Sequence, residues 1–129
     1  MLDKRNFYIN GKWVAPFKSS DFNVINPSNE EPCAIISLGS ENDTNLAVKS
    51  AKEAFSSWSQ TSKEEKISLI QKLYEIYESR WDDMSKAISM EMGAPIDWAS
   101  TAQTSSGADH MKDFIIRLKE FEFELAFNN

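Results

Sequence analysis

The chain reads as an α+β fold in which a β-hairpin and a short strand precede three amphipathic helices. Three observations support this. An Asn10-Gly11 pair sits between short aromatic and β-branched runs. Ser40 and Ser62 each stand three residues ahead of an acid, Asp43 and Glu65, just where helical patterns begin. From Ile67 onward, apolar residues return every third or fourth position. The strand region falls within 7–39, and the helices are predicted over 40–58, 62–92 and 95–123.

In FYINGKWV, from Phe7 to Val14, both central residues of a two-residue hairpin turn need positive φ, which Asn and Gly tolerate best. A loop over 15–20 leads to DFNVIN, which alternates as a strand from Asp21 to Asn26. Pro27 ends it because proline has no N–H to donate. Pro27-Ser28-Asn29-Glu30 is turn chemistry, and CAIISL from Cys33 to Leu38 is a second apolar strand that Gly39 closes. The first helix carries Ala47, Ala51, Ala54, Phe55 and Trp58 on one face and ends near Trp58.

The long second helix opens with a capping box at Ser62 and Glu65. Ile67, Ile70, Leu73, Tyr74, Tyr77, Trp81, Met84 and Ile88 form a single apolar stripe along it. Gly93 and Pro95 end it, one by taking the left-handed conformation and the other by refusing to continue the hydrogen-bond ladder. Pro95 then suits the first turn of the third helix, whose residues from Ala99 to Ala108 are nearly all Ala, Ser, Thr or Gly and so admit a close neighbour. Phe114, Leu118 and Phe121 continue that helix's packing face. The last residues, EFELAFNN, alternate weakly and define no element.

Composition excludes several classes. With 129 residues, 41% hydrophobic and 26% charged, the chain suits one soluble domain with a modest core. A net charge of −6 with interleaved cations argues against nucleic acid as a partner. There is no apolar run of the roughly 20 residues a bilayer span needs, and no signal-peptide block, so no membrane partner and a cytoplasmic location are expected. Cys33 is the single cysteine, which excludes an internal disulfide.

The chemistry-bearing side chains read as structural. Cys33 lies in an apolar run with no histidine or helix start to activate it, and is read as an inert packed thiol. His110 lacks a metal-type partner at i±4 and is read as a structural or surface histidine. Glu91, with Glu78, Asp82 and Asp83, is read as a solvated helix face rather than a catalytic pair. The glycines at 11, 39, 93 and 107 are isolated, so no phosphate-cradling loop can be drawn. No catalytic and no cofactor-binding residue is assigned.

Five stretches, FYINGKWV, VINPSNEEPCAIISL, AVKSAKEAFSSW, the Ser62 helix and EMGAPIDWASTAQ, occur in an order that resembles the N-terminal part of the NAD(P)-dependent aldehyde dehydrogenases. The resemblance runs from about Phe7 to about Phe123 and is lost at LAFNN. It implies a single partial domain over 1–129, corresponding to the start of the family's α/β fold. It also implies an oxidoreductase that takes aldehydes to acids through a cysteine thiohemiacetal, hydride transfer to NAD or NADP, and glutamate-assisted hydrolysis. The family's cysteine, glutamate and nucleotide-binding motifs come later than the matched region, and Cys33 does not match the catalytic one. No NAD(P) binding and no turnover are therefore expected of this chain alone. The expected partner is the remainder of a dehydrogenase, or a second copy through exposed apolar faces.

Many relatives hold a monovalent cation near the carbonyls before the Asn-Pro pair. Here these match Val24 and Ile25, with Gln103 near the place of the family's helical aspartate. Two other functional classes fit the same residues. One is a non-catalytic interaction module that uses its helix faces to bind a partner chain. The other is a self-contained enzyme built on Glu91 and His110.

Overall fold

The computed structural model of the chain describes residues 1–123, so most of the weakly alternating tail lies outside the described residues. Strands come first and helices after. The strands are β1 (Leu2–Asp3), β2 (Phe7–Ile9), β3 (Lys12–Val14), β4 (Asp21–Asn26) and β5 (Glu31–Ser37). The helices are α1 (Glu41–Trp58), α2 (Lys63–Ser79), α3 (Trp81–Met92), the short α4 (Ile96–Trp98) and α5 (Ser105–Glu120). A π-helical stretch, Ala99–Thr104, joins α4 to α5. The α+β reading holds, and the residues gather into two units. One comprises Met1–Gln60 and Ser89–Ala94; the other comprises Thr61–Ile88 and the described part of Pro95–Asn129.

In the first unit, β2 and β3 form the hairpin, with Phe7 opposite Val14 and Tyr8 opposite Trp13. Asn10 and Gly11 sit at φ 53 and 76, the positive values the turn requires. The Tyr8 and Trp13 rings meet edge to face at 5.3 Å, the close cross-strand pairing that stabilises a small ribbon. The other sheet has the order β1-β5-β4, with β4 antiparallel and β1 parallel to β5. Residues 2 and 3 carry no strand pattern of their own, so β1 is visible only through its partner.

The register of β4 on β5 slips at Val24 and Ile25. Val24 pairs with Ala34 and Ile25 with Pro32, which leaves Cys33 as the extra residue of a bulge. Pro32 has no N–H to offer β4, and the strand accommodates it by bulging.

In the second unit, Tyr74, Ala108 and Ile115 are buried together. Ile67, Ile70, Tyr77, Trp81 and Met111 pack around them, so the core lies between α2 and α5. Two expectations are corrected here. The helix expected over 62–92 breaks at Arg80, whose φ of −113 and ψ of 26 separate α2 from α3. Asp82 and Asp83 then stand in the first turn of α3, where carboxylates favour a new helix start, and the Ser79 hydroxyl bonds back to the Ile76 carbonyl at 2.8 Å. On α5, the packing face is Ala108, Ile115 and Leu118, whereas Phe114 and Phe121 are exposed. Side-chain size misled the reading of that face.

Candidate functional site

The turn from β5 into α1 leads into a helix N-terminus, where unpaired backbone N–H groups favour an anion. Here that turn is already occupied by the chain's own carboxylate. Asp43 accepts from the Ser40 N–H at 2.8 Å, the Ser40 hydroxyl at 2.6 Å and the Phe17 N–H at 2.8 Å. The Ser40 hydroxyl first, then the Phe17 and Ser40 amides, hold its carboxyl below the ordinary aspartate value. Asp43 is buried, so the helix end carries a fixed negative charge. Gly39 is the only glycine of that turn. That helix end therefore presents a carboxylate rather than free amides.

The second unit holds a buried polar seam. Tyr77 donates its hydroxyl to the Thr104 carbonyl at 2.9 Å, Trp81 donates its indole N–H to the Ser100 hydroxyl at 3.0 Å, and the Ser85 and Thr104 hydroxyls meet at 2.9 Å. Thr101 and Ser105 bond back to the carbonyls of Asp97 and Thr101 at 2.7 and 2.8 Å, diverting acceptors from the helical ladder where it widens to the π form. The small residues from Ala99 to Ala108 make room for this seam. A Cβ on Gly107 would lie 2.6 Å from the Tyr77 hydroxyl oxygen, which is itself held by Thr104. Within the seam the Gln103 side-chain oxygen is buried without a hydrogen-bond partner. Sequence reading found the small-residue run but not the π stretch or the tyrosine and tryptophan that use it.

The residues singled out from sequence are not brought into one catalytic cluster. The Cys33 thiol donates to the Val24 carbonyl at 3.3 Å and sits half-buried at the bulge. Val24 and Ile25 flank that bulge in the first unit, whereas Gln103 belongs to the π stretch of the second. His110 and Glu91 are exposed. Glu78 accepts from the Tyr74 hydroxyl, Asp83 pairs with Arg80 at 3.2 Å, and Asp82 is exposed on the first turn of α3. Among the described residues, no group of three or more His, Cys, Asp or Glu is placed to hold a metal ion, and no helix is long and apolar enough to cross a membrane.

The fold with its capped helices has close counterparts. An aldehyde dehydrogenase from Bartonella henselae superposes with a TM-score of 0.96 at 52% identity, over 99% of this chain and 27% of that one. A variant of aldehyde dehydrogenase C from Pseudomonas syringae, solved with NAD+ and octanal, superposes with a TM-score of 0.92 at 35% identity, over 96% of this chain and 26% of that one. The 3-succinoylsemialdehyde-pyridine dehydrogenase of a Pseudomonas species is 40% identical over 125 residues, which are 96% of this chain and 26% of the relative. The aldehyde dehydrogenase family profile matches residues 13–126. The chain belongs to the aldehyde dehydrogenase family, and it corresponds to an N-terminal portion spanning about a quarter of the length of these relatives.

Proposed function

We propose that this chain supplies the N-terminal part of an enzyme that oxidises aldehydes to acids with NAD or NADP, and that it acts only when joined by the remaining three quarters of such a subunit. The observation that carries this reading is the close superposition on about a quarter of an aldehyde dehydrogenase, with relatives likewise matched over about a quarter of their length. The chain contributes a scaffold, comprising the hairpin, the β1-β5-β4 sheet and the α2–α5 core. The nucleophile, the water-activating carboxylate and the cofactor come from the other part.

The test is to express the chain alone, and together with the complementary three quarters of the Bartonella henselae enzyme, and to follow NADH formation from octanal and NAD+. The reading expects no turnover from the chain alone and turnover from the pair. Turnover by the pure chain, or a pair that stays inert, overturns it.

A further inference from the structure

Helix α5 ends without a cap of its own. The last carbonyls of a helix have no partner within it, and the usual remedy is a glycine in the left-handed conformation just past the end. Phe121 stands there instead, at φ −72 and ψ 126, so the chain leaves α5 extended, and the Phe121 N–H reaches back to the Leu118 carbonyl at 3.4 Å. The missing donor comes from α2. The half-buried Lys63 donates its ammonium to the Lys119 carbonyl at 3.1 Å and to the Phe121 carbonyl at 3.3 Å, contacts that cross 56 and 58 residues of sequence.

Lys63 does not suit its own helix. It is the first residue of α2, at an end that carries partial positive charge and favours acids, here Glu64 and Glu65. The Ser62–Glu65 capping box already closes that end without it. At the C-terminus of α5 the sign is reversed, and an ammonium is favoured. Of the two basic residues in the last turn of α5 itself, Arg117 is drawn back to Asp113 at 3.4 Å.

We propose that Lys63 is a positioning residue, which caps α5 from the start of α2 and so fixes the direction in which the chain leaves that helix at Phe121. Resting on the reading above, that exit is the joint with the rest of the enzyme, since the relatives run on beyond the quarter matched here. The cap acts on the path of the backbone and not on the α2–α5 core: Lys119 and Phe121 are exposed, whereas Tyr74, Ala108 and Ile115 are buried.

The test compares the full chain with Lys63→Met, which keeps the apolar stem and loses the donors, and with Lys63→Arg, which keeps donors and charge. Amide hydrogen exchange, read by mass spectrometry, should be at least about fivefold faster in Lys63→Met from the last turn of α5 to Phe123, unchanged around Tyr74 and Ala108, and restored by Lys63→Arg. Each chain is also co-expressed with the complementary three quarters of the Bartonella henselae enzyme. Turnover of octanal with NAD+ should fall at least about fivefold for Lys63→Met and return with Lys63→Arg. Unchanged exchange at the end of α5, or equal loosening around Tyr74 and Ala108, overturns the cap. An active wild-type pair that Lys63→Met leaves equally active overturns the positioning role. An inert wild-type pair defeats the proposed function instead, and exchange alone then decides whether Lys63 caps α5.

Discussion

Helices α1 and α5 are nearly equal in length, at 18 and 16 residues, yet they are held in opposite ways. Helix α5 buries Ala108, Ile115 and Leu118, while the single residue buried on α1 is Asp43, at its cap. One helix buries apolar residues along its length, and the other buries only its hydrogen-bonded cap residue. The apolar face of α1 is as clear in sequence as that of α5, with Phe55 at 64% exposure. An amphipathic pattern therefore marks a face suited to packing, and does not show that anything in the same chain covers it.

The largest expected effect breaks this comparison directly. Ile115→Ala should destabilise the chain by about 2–3 kcal/mol, because it empties the small α2–α5 core. The matched Phe55→Ala on α1 should change stability by no more than about 0.5 kcal/mol in the isolated chain. Urea denaturation of both variants checks the pair, and equal losses would mean that α1 already has its partner.

A smaller effect comes from the knot that holds α1. The folded Asp43 carboxyl titrates below its ordinary value of 3.8, so the charged form is bound more tightly in the folded chain than in the unfolded one. Its contribution is fully present well above 3.8 and is lost as pH falls through the lowered folded value. Asp43→Asn should therefore lower the melting temperature at neutral pH, and the gap to wild type should narrow as the solution is acidified below pH 4. Melting curves across that range check it; a gap that widens on acidification would have the wrong sign.

Much of the fold was legible because it is written locally. Both capping boxes, the Asn10-Gly11 turn, the strand from Asp21 to Asn26 and the end of α1 at Trp58 depend on residues a few positions apart, and the structure places them as read. What escaped depends on distant partners. Strand β1 exists because Leu2 and Asp3 pair with Ala34 and Ile35. The break at Arg80 and the π stretch are bound up with Trp81, Ser85 and Tyr77 bonding to Ser100 and Thr104, contacts that cross 19 to 27 residues of sequence. The stripe on α2 was read as one because periodicity gives spacing, whereas the split between a core side and an exposed side is set by where α5 lies. At the candidate site, the closed helix end at Asp43 was half legible. The cap was readable from Ser40, but the Phe17 amide reaches Asp43 from 26 residues away.

Amide hydrogen exchange along the isolated chain, read by mass spectrometry with a dilution series alongside, tests the central claim most directly. The account predicts slow exchange through α5 and the core side of α2. It predicts faster exchange in α1 beyond its first turn, because nearly all the residues there are exposed. Equal protection along α1 and α5 in a monomer insensitive to dilution would contradict it, and would mean that the chain completes its own fold without the rest of a dehydrogenase.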